Sequence, residues 1–138
     1  MEKYCEQIDT IKTEIDRLES MTLIVKILDA IPIPIWFKTE KSIMKFVNRS
    51  YEQRYLTPRG YKREDYIGKD DFAVWSPDIA EAFRDNDEAC LVANASIFFD
   101  EEIIEENGER VRQHFIKFPI NIEGKLYVAG MRQIQARD

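Results

Sequence analysis

Ile97-Phe98-Phe99-Asp100-Glu101-Glu102-Ile103-Ile104-Glu105-Glu106-Asn107-Gly108-Glu109-Arg110-Val111-Arg112-Gln113-His114-Phe115-Ile116-Lys117 decides how this chain folds. Two runs rich in β-branched and aromatic residues flank Asn107-Gly108, the strongest short hairpin signal in the chain. Strands are expected over 97–106 and 110–120. A two-residue turn pairs Glu106 with Glu109, and counting outward sets Glu105 against Arg110, Ile103 against Arg112 and Glu101 against His114. In that register Phe99, Glu101, Ile103, Arg112, His114 and Ile116 share one face. Asp100, Ile104, Val111, Gln113, Phe115 and Lys117 share the other, so both faces are mixed. The acidic run from Asp100 to Glu109 is then a charge-matched sheet surface rather than a metal site. His114 is an ion-paired sheet residue rather than a metal or haem ligand. Asn121-Ile122-Glu123-Gly124 makes a looser turn into a third strand, Lys125–Ile134.

Upstream, Ser76-Pro77-Asp78 is a helix start: a capping serine, proline at the first helical position and an acid in the first turn. The helix runs to about Asn94, with Ile79, Phe83 and Cys90 on one face. Residues 61–75 are irregular, anchored by Tyr66, Ile67, Phe72, Val74 and Trp75. Ser50–Leu56 reads as a short helix capped by Asn48 or Ser50. Ile35–Lys38 and Ile43–Val47 read as two short strands around a turn. The order is helix, two strands, small helices, a longer helix and three strands. That makes an α+β domain, a five-stranded antiparallel sheet with helices on one face, preceded by a long N-terminal amphipathic helix.

That first helix spans 2–29, free of Gly and Pro, and Ile31-Pro32-Ile33-Pro34 stops it. Tyr4, Ile8, Ile11, Ile15, Leu18, Thr22 and Val25 recur at alternating spacings of four and three, a heptad seam on an otherwise charged surface. The helix either lies on its own domain or pairs with a second chain. The narrowness of the seam favours pairing. Against it, a parallel pair sets Glu14 opposite Glu19, and about three heptads alone are marginal. A homodimer held through Tyr4, Ile8, Ile11, Ile15, Leu18 and Val25 is the expectation.

Composition removes several functions. The chain has 138 residues, enough for one domain, and its 26 acidic against 20 basic residues give a net charge of −6. That is the opposite of a nucleic-acid footprint. No apolar stretch is long enough to span a membrane. Cys5 and Cys90 form no CxxC pair, and one histidine allows no multi-histidine metal site. A reduced, cytoplasmic setting follows. No phosphate-binding loop or nucleophile elbow occurs. Asp71 or Asp87 beside a tyrosine is the nearest approach to an acid–base pair, as in a small isomerase-like enzyme, and no catalytic constellation accompanies it.

The order of elements resembles the PAS sensor family over roughly residues 25 to 135. Leu28-Asp29-Ala30-Ile31-Pro32-Ile33-Pro34-Ile35-Trp36 is similar to the family's entry into its first strand. Phe46-Val47-Asn48-Arg49-Ser50-Tyr51 is similar to its second strand and first core helix. Tyr66-Ile67-Gly68-Lys69-Asp70-Asp71-Phe72, Phe115-Ile116-Lys117-Phe118-Pro119-Ile120 and Val128-Ala129-Gly130-Met131-Arg132 match later segments in order. With the heptad helix assigned to 1–29, the resemblance implies a sensor domain over 30–135, leaving a tail over 136–138. It implies a small molecule held between sheet and helices, near Tyr51, Tyr55, Phe72, Trp75, Phe83 and Cys90, and a signal passed through the N-terminal helix to a partner or an output domain. The alternative is that these rings are the core itself and the domain only dimerises. The cofactor is unknown. The Asn-Cys-Arg-Phe-like segment of covalent flavin binders is absent, and residues 77–95 hold no histidine for the family's haem mode, so both are disfavoured.

Overall fold

Strands β1 (Ile35–Thr39), β2 (Met44–Val47), β3 (Ile97–Ile104), β4 (Arg110–Ile122) and β5 (Lys125–Arg132) form one antiparallel sheet in the order β2-β1-β5-β4-β3. The structure is a computed structural model and describes residues 2–134, so the tail assigned to 136–138 lies outside the described residues. Helix α1 (Glu2–Ala30) precedes the sheet. Between β2 and β3 come α2 (Arg49–Tyr51), a π turn over Glu52–Leu56, three single 3₁₀ turns and α3 (Pro77–Ala93). These segments cover the inner face of the sheet, with Trp36, Tyr51, Tyr55, Trp75 and Phe115 at the centre of the core.

The hairpin between β3 and β4 differs from its expected register by one residue. Glu101 lies opposite Gln113, and His114 lies opposite Asp100, not Glu101. A two-residue type I′ turn needs positive φ at both central positions. Here only Gly108 has it (φ 82°), while Asn107 does not. Glu105 N–H donates to the Glu109 carbonyl and Gly108 N–H to the Glu105 carbonyl, closing a three-residue loop with glycine in the left-handed position. The two-residue turn forms instead at Glu123-Gly124 (φ 50° and 81°), where Ile122 pairs with Lys125. One residue of slip re-sorts the hairpin. Glu101, Ile103, Gln113, Phe115 and Lys117 are all buried on the inner face, while Asp100, Arg112 and His114 stay exposed. Charge matching survives in the new register: Arg112 Nε stands 3.3 Å from Asp100 and Arg110 2.8 Å from Glu102.

Asn48 is fully buried and explains how α1 joins the sheet. Its Oδ1 accepts from Tyr51 N–H (3.1 Å), capping α2, and from Ile35 N–H (3.0 Å) at the start of β1. Its Nδ2 donates to the carbonyls of Leu28 (2.9 Å) and Ile33 (2.8 Å) at the proline-rich break, where Pro32 has no N–H to offer Leu28. Ser76 does precede α3, but its side chain makes no capping bond; its hydroxyl accepts from Arg110 (3.1 Å). Helix α1 buries none of its residues, and from Glu2 to Ile27 every one is exposed, so within one chain it does not cover the sheet. Ile11 is 59 % exposed and Leu18 53 %.

Candidate functional site

The inner face of the sheet carries two lysines where an apolar core is the norm. Lys38 on β1 and Lys117 on β4 flank β5, and both are buried. Across the middle strand, Trp36 pairs with Gly130 and Gly130 with Lys117. The Trp36 ring lies over Gly130, and a Cβ there would collide with its six-membered ring. Glycine at this point lets the indole reach the centre of the sheet.

Three buried carboxylates meet the two ammonium groups. Lys38 Nζ donates to Asp71 Oδ2 and to Asp87 Oδ2, both at 2.9 Å. Lys117 Nζ lies 2.8 Å from Asp87 Oδ1 and 2.6 Å from Glu101 Oε2. Asp87, on α3, therefore bridges the two lysines. Asn86 donates to Glu101 (2.9 Å), and the Tyr66 hydroxyl donates to Asp71. Burial opposes the Lys38 charge, but the Asp87 and Asp71 carboxylates outweigh it and hold the ammonium above its ordinary pKa. Burial likewise opposes ionisation of Asp87, and Lys38 and Lys117 outweigh it, holding its carboxyl below the usual range. A general base poised near neutral pH needs the reverse shift. Both aspartates that could have served as bases are locked in ion pairs.

Aromatic rings close over this cluster. Trp36 meets Tyr51 and Phe115 edge-on, with centroids 5.6 and 5.5 Å away; Tyr51 meets Tyr55 (4.9 Å) and Trp75 meets Phe83 (5.3 Å). Trp75 Nε1 donates to the Tyr51 hydroxyl (3.2 Å), and the Tyr55 hydroxyl donates to Gln113 (2.9 Å). Burial raises the phenol pKa of Tyr51, Tyr55 and Tyr66. The void between the rings and the lysines is only about 10 Å³, room for about one water. Among the described residues, the space between these rings and the lysines is thus smaller than a ligand, contrary to expectation. Phe83 is the ring set against the ammonium groups, with its centroid 5.5 Å from Lys38 Nζ and 5.3 Å from Lys117 Nζ.

Of the six residues expected at the pocket, Tyr51, Tyr55, Trp75 and Phe83 line this void. Phe72 points outward instead, 43 % exposed beneath the Arg84 guanidinium (5.0 Å). Cys90 is buried but does not line the void, and its thiol donates to the Ala95 carbonyl (3.3 Å). Burial, with Asp87 nearby, pushes that thiol's pKa up, which suits a packing role. Lys38, Glu101 and Lys117, which the sequence did not mark as pocket residues, are on the wall. A larger hollow, about 570 Å³, opens on the surface among Pro32, Arg54, Glu105, Arg112, His114 and Arg132, away from the ring cluster. Among the described residues no group of three or more His, Cys, Asp or Glu could hold a metal ion, and no helix is long and apolar enough to cross a membrane.

The model of the PAS fold family matches residues 28–138. No curated protein matches the chain. Among solved structures, the PAS domain of BvgS from Bordetella pertussis is 20 % identical with a TM-score of 0.62, over 88 % of this chain and 89 % of that one. VqmA of Vibrio cholerae, a LuxR-type receptor described as a dimer, is 23 % identical with a TM-score of 0.65, over 86 % of this chain and 52 % of that one. The PAS domain of the quorum-sensing receptor RpfR of Cronobacter turicensis, solved with a C12:0 ligand, is 19 % identical with a TM-score of 0.55, over 76 % of this chain and 96 % of that one. At these identities the likenesses establish the fold.

Proposed function

The chain belongs to the PAS fold family, and we propose that it is a cytoplasmic sensory domain that admits a small molecule among its interior rings and signals as a homodimer through α1. The observation that carries this reading is the buried set Lys38, Lys117, Asp71, Asp87 and Glu101 beneath six aromatic residues. Well-packed hydrophobes of similar volume often stabilise a fold as well as, or better than, a buried ion cluster. A module that only dimerised would gain nothing from placing two ammonium groups and a carboxylate on the wall of a void. A sensor gains directional hydrogen-bonding groups in a water-poor setting, where they discriminate strongly. The exposed seam on α1 supplies the output: a helix burying no residue in its own chain has its apolar face free for a second copy. Asn48 ties the end of α1 to β1 and α2, so repacking beneath α2 reaches that helix.

The void of about 10 Å³ favours a second reading, a dimerisation module with a filled core and no ligand. Native mass spectrometry of the gently purified chain separates the two. The sensor reading expects a dimer carrying a co-purified small molecule, released on denaturation and identified in the supernatant. A dimer of bare chain mass whose core signals resist every added metabolite fraction would leave the filled-core reading in possession.

A further inference from the structure

Building on the sensor reading, we infer that the interior site takes an uncharged, flat, single-ring molecule bearing a hydrogen-bond acceptor, which displaces the Phe83 ring and bonds to Lys38 and Lys117. The donors come from a count. An ammonium group carries three N–H bonds. Lys38 directs two at Asp71 and Asp87, and Lys117 directs one at Asp87 while Glu101 stands beside it as an ion-pair partner at 2.6 Å. At least one N–H on each nitrogen is left, and both nitrogens stand over the Phe83 ring. An acceptor in place of that ring exchanges two cation–π contacts for charge-assisted hydrogen bonds, the stronger interaction.

Phe83 is the ring built to move. Tyr51, Tyr55 and Trp75 are fixed by hydrogen bonds, and Trp36 and Phe115 stand on inner strands of the sheet. Phe83 has neither restraint and is the most exposed of the six, at 6 %. Its departure frees the volume of one six-membered ring next to the existing void. A cavity of roughly 150 Å³ accepts benzene, so the space suits one ring and excludes a long acyl chain. The surrounding Trp36, Tyr51 and Trp75 give a flat ring faces and edges to stack on.

The charge follows from the cluster. Two ammonium groups and three carboxylates sum to a formal −1 in a buried setting. A carboxylate ligand would take the interior to −2, and a cation would enter beside two ammonium groups. Both cost heavily where water is excluded, and an uncharged ligand avoids both.

The test is NMR titration of the full chain with 2-pyridone, benzoate, benzylammonium and dodecanoate, following the indole N–H signals of Trp36 and Trp75. The expected result is saturable shifts with 2-pyridone at an affinity at least about tenfold above the other three. Tighter binding of benzoate, benzylammonium or dodecanoate would overturn the ligand class while leaving an interior pocket standing. If no probe moves either indole signal, the pocket reading falls with it. Two variants check the parts. Glu101→Gln makes the cluster formally neutral, so the preference for 2-pyridone over benzoate should shrink by about tenfold. Phe83→Leu shortens the displaced side chain and should tighten 2-pyridone binding; an unchanged preference in the first, or weaker binding in the second, contradicts the assignment.

Discussion

Lys38→Met isolates the energetic role of the buried cluster. Lys38 is 2 % exposed, and its ammonium is the only cation within bonding distance of Asp71 among the described residues. Methionine fills similar volume, so the change acts on charge more than on packing. Asp71 then keeps only the Tyr66 hydroxyl, Asp87 keeps Lys117 and a long bond from the Ser42 hydroxyl (3.5 Å), and the formal charge of the cluster goes from −1 to −2. Removing one partner from a buried ion pair costs about 3–5 kcal/mol, because the other charge stays behind. For a domain of this size that lowers the thermal midpoint by on the order of 15–25 °C. Urea unfolding followed by the fluorescence of buried Trp36 and Trp75 reads the loss directly. The companion variant Lys38→Met with Asp71→Asn returns the formal charge to −1 and leaves an amide oxygen for Tyr66. It should recover at least about 1 kcal/mol relative to the sum of the single losses. A single variant within about 1 kcal/mol of the parent, or a double variant no better than additive, would refute the idea that charge balance holds this core together.

Ile11→Asp with Ile15→Asp should convert the protein to monomer while its β-sheet circular dichroism persists; sedimentation showing an intact dimer would remove the seam from the interface. Gly130→Ala drives a methyl into the Trp36 ring and should cost about 1–3 kcal/mol in urea unfolding, with the tryptophan fluorescence altered in the folded state. The cluster also sets a pH window. Asp87 is held below its ordinary 3.8, so its contribution is present above about pH 4 and is lost as pH falls further. Lys38 is held above its ordinary 10.5, so its contribution is complete below that value and is lost as pH rises beyond it. Thermal midpoints should therefore be flat between about pH 5 and 9 as far as these groups are concerned, and a steady decline across that range in the parent but not in Lys38→Met would contradict the assignment.

Local patterns made much of the fold readable without coordinates. The unbroken heptad seam marks α1, and Ser76-Pro77 marks the start of α3, because helix periodicity and terminal geometry are set by residues a few positions apart. Asn107-Gly108 and Asn121 to Gly124 mark the two hairpins for the same reason. The turn residues do not dictate loop length, however. Asn-Gly serves a two-residue turn or, with only glycine left-handed, a three-residue loop, and strand pairing on both sides settles the choice. That one residue sends Glu101 and Gln113 inward and leaves His114 on the surface beside Asp100.

The site is where sequence stops and tertiary structure takes over. Rings at 51, 55, 75 and 83 stand out by their density, but Lys38 and Lys117 read as ordinary strand charges, Glu101 as the partner of His114, and Asp71 and Asp87 as isolated acids beside a tyrosine, because a charged residue is normally solvated. They are separated by up to 79 positions (Lys38 to Lys117). Only the strand order β1-β5-β4 brings the two lysines to either side of one strand, and only the packing of α3 on that face lowers Asp87 between them. Phe72 makes the converse point, because its apolar side chain fits a core pattern yet stacks on Arg84 at the surface. Helical and strand periods follow from covalent geometry over a few residues. Which charges share one desolvated space follows from where distant elements dock, and no local pattern encodes that.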